Sequence, residues 1–401
     1  MSNAAIAGSP RFKSINRAML FGGLATFSLL YCVQPLMPLL AAQFALTAAQ
    51  GSWVLSISTL TLAVSLVVSG ALSDRIGRKP LMAGAMAAAS VLTVLCAFAQ
   101  DYMQLLVLRA LLGVALGGMP AVAMAYLAEE IDRPSLGISM GMYIGGSALG
   151  GMLARVLVSI GSDLLSWRIA LAAAGAAGLY AAWEFCRSLP AQANFRPARP
   201  GLRALADGAR AHFSDEGLRW LFALGLLVMG VFVSLYNCIS YRLLGAPFGL
   251  GHGAVGAISV LYTIGIYSSV WAGRMADRYG RRNVLWMVLA LMMAGLVLTL
   301  SSSLAVVIGG LALVTFCFFA AHSIASSWVG LRARAPQALA SALYLFFYYL
   351  GGSLVAWVAG MAWDAAGWTG VVSLLLATLG AAMLVALRLR GLAPIAARAP
   401  A

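Results

Sequence analysis

Polar positions are too widely spaced along this chain for short amphipathic segments, and long apolar runs separate them. A helix needs about 20 mostly apolar residues to cross the hydrocarbon core of a bilayer. Twelve runs meet that length, at roughly 18–42, 52–72, 80–100, 103–128, 136–160, 167–188, 218–241, 253–274, 283–302, 304–331, 337–361 and 369–388. One long polar gap, 189–217, rich in Arg, Pro and Ala, interrupts the series after the sixth run. The pattern predicts an all-α membrane protein of twelve transmembrane helices. Its expected organisation is a six-helix bundle over 1–188, a linker over 189–217 and a second six-helix bundle over 218–401.

Composition strengthens this picture. Of the 401 residues 62% are hydrophobic and only 9% are charged, against roughly 25% charged in soluble domains. Lipid accepts an apolar exterior that water does not. The run at 18–42 follows Arg11, Lys13 and Arg17 but is too long for a signal peptide, so it is expected to be a retained first span. The five cysteines are scattered through the apolar runs without a CxxC or Cys/His spacing, and read as small buried hydrophobes. No metal or cofactor is expected.

The net charge is +14. In a soluble protein such basicity suggests nucleic acid. Here the cations cluster between apolar runs, so no nucleic-acid partner is expected. With twelve spans, 22 of the 26 Lys and Arg residues fall on the side of the termini, and only Arg109, Arg155, Arg168 and Arg242 lie elsewhere. Basic residues accumulate in cytoplasmic loops. Both termini and the linker are therefore expected in the cytoplasm, with the chain in a bacterial inner membrane.

The chain also repeats itself. Gly70-Ala-Leu-Ser-Asp74-Arg75-Ile-Gly77-Arg78-Lys79 returns as Gly273-Arg-Met-Ala-Asp277-Arg278-Tyr-Gly280-Arg281-Arg282, 203 residues later. Tyr143-Ile-Gly145-Gly146-Ser147 returns as Tyr349-Leu-Gly351-Gly352-Ser353 at an offset of 206. Two echoes at nearly equal offset indicate two homologous six-span units.

The repeated loop G-x-x-x-D-R-x-G-R-[KR] resembles the signature loop of the major facilitator superfamily. Arg109-Ala-Leu-Leu-Gly113 resembles that superfamily's second motif, common in proton-coupled members. The glycine-rich stretch 141–151 is similar to its antiporter motif, except that Gly146-Ser147 stands where Gly-Pro is usual. The stretches 24–35 and 319–328 resemble a bacterial branch described as efflux permeases. By this resemblance Asp74, with Arg75, Gly77 and Arg78, latches the cytoplasmic ends of the halves together while the outside is open. Asp277, Arg278 and Arg281 form the second copy. The resemblance also places spans 1, 4, 7 and 10 around a central cavity.

Candidate chemistry follows from charge inside the membrane, which is costly and by default functional. Arg109 lies about two turns inside span 4, and no acidic residue lies deep in any predicted span. His322, near the middle of span 10, and the edge acids Glu129 and Glu130 are the groups available to carry a coupling proton, with Arg109 as the fixed charge that biases them. Ser326 shares the face of His322. Tyr31 and Gln34 in span 1, Asn237 and Tyr241 in span 7, and Tyr344 and Tyr348 in span 11 suit an amphipathic or aromatic small molecule, bound by stacking and a few hydrogen bonds. The glycines of span 5 and the pair Gly351-Gly352 are expected to pack at the interface between the halves.

These features predict a secondary transporter that exports small amphipathic molecules in exchange for protons and acts as a monomer. Uptake of a sugar or organic acid by symport is the alternative. An enzyme is not expected, since the chain has no HExxH, nucleophile elbow or intramembrane carboxylate pair. It has no Walker motif for an ATP-driven pump either.

Overall fold

Proline and glycine decide where the apolar runs start, break and turn. The computed structural model describes residues 4–132, 134–195, 202–333 and 337–392, and these are almost wholly helical. The first span is α1 (Pro10–Tyr31) continued, through a short 3-10 turn at Pro35, by α2 (Met37–Gln43). Next come α3 (Ala48–Ile76) and α4 (Arg78–Cys96). The fourth span is α5 (Tyr102–Leu116) and α6 (Pro120–Glu130), broken at Gly117-Gly118 and Pro120. Then α7 (Leu136–Leu164) and α8 (Trp167–Ser188) complete the first bundle.

The polar gap holds a further helix, α9 (Leu202–Ser214). The second bundle comprises α10 (Glu216–Leu244), the broken eighth span α11 (His252–Ala257) with α12 (Thr263–Tyr279), α13 (Arg281–Leu298), α14 (Leu304–Arg332) and α15 (Gln337–Gly391). At 1.5 Å per residue a straight α15 would be about 80 Å long, more than twice the thickness of a bilayer core. It is not straight. Ala366 and Gly367 leave helical geometry, Gly367 with φ 58°, and divide it into the eleventh and twelfth spans.

The sequence repeat is visible in the backbone. Gly77 and Gly280, at matching places in the two signature loops, have φ of 95° and 83°. A side chain is strained in that region, so glycine is required at both turns. Span starts are capped by local chemistry. Thr47 and Gln50 form a reciprocal capping box on α3, and Ser9, Asp101, Ser166 and Asp215 cap α1, α5, α8 and α10. Asp215 also accepts from Arg332 Nε at 2.5 Å, tying the seventh span to the tenth. Burial opposes ionisation of Asp215, but the Arg332 and Leu218 hydrogen bonds outweigh it and hold its carboxyl below the usual range.

The glycines do not pack where expected. Gly146 and Gly150 of α7 meet the backbone of Leu20 and Leu24 in α1, and Gly351 meets Leu226 in α10. The close approach is therefore within each bundle, first span against fifth and seventh against eleventh, not between the bundles. Only a missing side chain lets backbones come this near. Large apolar side chains such as Val64, Val68, Val107, Leu111, Leu157 and Leu384 stand exposed along the outer surface, a band suited to lipid. Of the clustered basic residues, Arg133, Arg196, Arg199, Arg334 and Arg398 lie outside the described residues.

Candidate functional site

The two bundles meet over one end of the molecule. Among the described residues, the hydrogen bonds between them lie midway along the spans or nearer the end away from the chain termini. Midway, the hydroxyls of Thr59 and Ser353 are 2.7 Å apart. Farther along, Gln34 Nε2 donates to Asn237 Oδ1 at 2.6 Å. At the far end Asp364 accepts from the backbone N–H groups of Ala48 and Ala49 at 3.0 and 3.1 Å. Asp163 accepts from Gly253 N at 2.5 Å. Ser159 Oγ donates to the carbonyl of His252.

The last contacts form a matched pair. Asp364 ends the eleventh span and caps the second, while Asp163 ends the fifth span and caps the eighth. These are equivalent places in the two repeats. A carboxylate at a helix N-terminus meets unsatisfied N–H groups and the positive end of the macrodipole. Each bundle thus closes on the other with the same device.

Beneath this closure lies Arg155 of α7, 3% exposed. Its guanidinium sits between the rings of Tyr31 and Tyr262, at 4.2 and 4.6 Å from their centroids, one ring from each bundle. Nε donates to Gln34 Oε1 at 2.5 Å and Nη1 to the Gly151 carbonyl at 2.6 Å. A cleft with room for about one water adjoins it, lined by Gln34, Tyr236, Ser240 and Ser259 among others.

On the other side of these rings lies an aromatic cluster. His322 Nδ1 is 3.0 Å from Tyr344 Oη, and its ring is 4.6 Å from that of Tyr348. Phe318 stacks on Phe232 at 3.7 Å and flanks His322. The structure so brings together His322, Tyr344, Tyr348 and Tyr31, and joins Gln34 directly to Asn237. Tyr241 lies apart from them, beside Trp363 near Asp364, and Ser326 bonds only to Ser323 of its own helix.

Arg109 is 1% exposed, and all its nitrogens are engaged. They donate to the carbonyls of Val54, Leu29 and Leu30 at 3.0, 3.1 and 2.7 Å. Leu29 and Leu30 end α1, just before the Pro35 break, where intrahelical donors run out. Arg109 thus clamps spans 1, 2 and 4 together.

The signature loops bond within their own bundles, and Lys79 also donates to the Leu189 carbonyl at the start of the linker. Arg78 pairs with Asp74 at 2.9 Å and Glu129 at 2.6 Å. Asp277 pairs with Arg281 at 3.1 Å. Arg75 and Arg278 stand exposed nearby. Glu130 is fully buried and accepts from Arg11 at 2.5 Å and from the backbone of Ala193 and Asn194 at 2.8 Å. Both edge acids are therefore committed to donors.

Several of these residues escaped sequence reasoning. Asp163 and Asp364 are lone acids in predicted loops, and their partners lie 90 and 315–316 residues away. Tyr262 and Phe318 are aromatics among many. Arg155 did carry a signal, as one of four basic residues off the terminal side.

The sequence matches the Major Facilitator Superfamily over residues 19–356. The inner membrane transport protein YnfM of Escherichia coli (strain K12) is 45% identical over 382 residues, 95% of this chain and 92% of that protein. The uncharacterized MFS-type transporter YybF of Bacillus subtilis (strain 168) is 44% identical over 368 residues, 92% of this chain and 91% of that protein. A crystal structure of a variant of the nucleoside transporter NupG superposes with a TM-score of 0.77 at 14% identity, over 94% of this chain and 98% of that one.

Proposed function

Because this chain belongs to the Major Facilitator Superfamily, we propose that it is a secondary transporter that exports small amphipathic organic molecules in exchange for protons. It works in the bacterial inner membrane as a monomer, with both termini in the cytoplasm. The observation that carries the alternating-access reading is the one-sided closure. Among the described residues, bonds between the bundles run from mid-span to the far end, while the signature loops at the other end bond within their own bundles and, through Lys79, to Leu189 at the start of the linker. On this reading the far end is the outside, and the aromatic cluster beneath it lies toward the cytoplasm. Two states of similar energy follow if the loops hold the opposite end shut when the far end parts.

The Asp74 carboxylate is then a latch that acts in the other state. Asp74→Asn removes one charge-assisted hydrogen bond, so transport is expected to fall about tenfold with expression and folding intact. Unchanged flux in this variant reduces the loop to a topology signal.

His322 is the preferred proton carrier, since Glu129 and Glu130 are held by Arg78 and Arg11. Protonation would change how its ring meets Tyr344 and Tyr348, and so couple proton occupancy to the substrate chamber. The test uses purified protein in liposomes with an imposed pH gradient. His322→Gln is expected to keep substrate binding and lose the dependence of flux on the imposed pH gradient. Undiminished proton-driven flux in that variant moves the carrier elsewhere. Flux indifferent to the gradient in the unaltered protein overturns the exchange reading.

A further inference from the structure

The polar groups beneath the closed end are unbalanced in one direction. Arg155 can only donate hydrogen bonds. Its Nε therefore fixes Gln34 with Oε1 toward it, and Gln34 Nε2 must point to Asn237 Oδ1. That leaves Asn237 Nδ2 at the end of the chain. It is fully buried and has no acceptor. Arg155 Nη2 likewise has no protein acceptor among the described residues. Arg109, equally buried, shows the contrast, with every nitrogen on a carbonyl.

No carboxylate balances the Arg155 charge either. The described parts of spans 1, 7 and 8 that pack against it carry no acid. Asp163, two turns along its own helix, is engaged by Gly253, and Asp364 by Ala48 and Ala49. A buried cation with no anion, beside a buried donor with no acceptor, is an arrangement that natural interiors avoid unless something else completes it. Tyr31 and Tyr262 each pack a ring against the guanidinium, one from each bundle, and Nη2 is the donor left for a partner to approach. A planar oxyanion fits that approach.

We propose that the transported molecule is an organic anion whose carboxylate is held by Arg155, with Asn237 as a second donor and its apolar body among Tyr31, Tyr262, Tyr348 and His322. This rests on the reading of the chain as a transporter whose bundles part at this end. It also explains the link between substrate and gate. Gln34–Asn237 and Arg155–Tyr262 both join one bundle to the other. Parting the bundles at this end breaks both and uncovers the cation, so a bound carboxylate competes with closure. Export of a monoanion against entry of one proton moves two charges in the same sense. The membrane potential then drives transport even without a pH gradient.

The experiment measures binding of benzoate, 4-hydroxybenzoate, phenylacetate and hexanoate, each beside its amide and the corresponding amine, to the purified full chain in nanodiscs. At least one carboxylate is expected to bind about tenfold or more tighter than its own amide. Arg155→Gln is expected to weaken that carboxylate about thirtyfold and its amide far less, with Arg155→Lys in between. The amide comparison needs no variant, so it stands if Arg155→Gln fails to fold. Equal or tighter binding of the amides or amines overturns the proposal. So does a carboxylate preference that survives Arg155→Gln, or the absence of binding by every carboxylate. Failure of the export reading looks different. Amines expelled against a proton gradient keep export and overturn the anion site. A carboxylate that binds through Arg155 but accumulates inside keeps the site and overturns export.

Discussion

Arg109→Ala is expected to abolish transport and to lower the thermal midpoint of the purified protein as well. Three buried carbonyls from two spans lose their donor. An unsatisfied buried acceptor costs about 1–3 kcal/mol, and the relief of no longer burying a cation offsets part of that. A net loss of about 2–4 kcal/mol is therefore expected. Arg109→Lys should rescue neither property. A single ammonium cannot serve three carbonyls that the rigid guanidinium fork reaches at once. Circular dichroism melting and liposome flux on the same preparations separate the possibilities. Loss of both properties identifies a clamp on the broken first span. Loss of flux with an unchanged midpoint assigns Arg109 a role in coupling rather than in holding the spans.

The second large effect concerns the matched carboxylates. Asp163→Ala with Asp364→Ala is expected to shift the protein toward the state open at the far end. Each carboxylate caps a helix of the opposite bundle from an exposed position, where charge at a helix N-terminus contributes about 0.3–1 kcal/mol. Together they hold about 0.6–2 kcal/mol, or a population ratio of roughly 3 to 30. Ser240 lines the cleft beneath them and is buried. A cysteine at Ser240, with the exposed native Cys186 replaced, should resist an impermeant maleimide added outside cells. It should react readily once both acids are gone. Each single variant should give an intermediate rate, because the two contacts sit in different helix pairs. Labelling unchanged in the double variant means that apolar packing, such as Trp53 against Trp357, closes this end instead.

The spans, the repeat and the family are legible along the chain alone. Span length is a one-dimensional property, since a bilayer asks only that about 20 residues in a row be apolar. The signature loop at 70–79 and its copy at 273–282 announce both the fold and its twofold construction. The same local logic placed the turn glycines, because a positive φ at Gly77 and Gly280 is a demand on one residue.

Which of the membrane-embedded polar groups belong together emerges from the packing of the helices, and sequence spacing cannot supply that. Arg109 and Arg155 look alike as lone cations in apolar runs. One proves to be fully engaged by carbonyls of neighbouring spans, while the other faces the opposite bundle with donors to spare. Gln34 and Asn237, 203 residues apart, are bonded to each other. The glycine motif at 141–151 packs inside its own bundle because the backbone it approaches, that of Leu20 and Leu24, belongs to the first span. Asp163 and Asp364 gained meaning only from the helix ends they meet across the interface. Hydrogen bonds between spans depend on rotation and depth about two separate helix axes. Hydropathy along the chain carries neither, and only the assembled bundles set them.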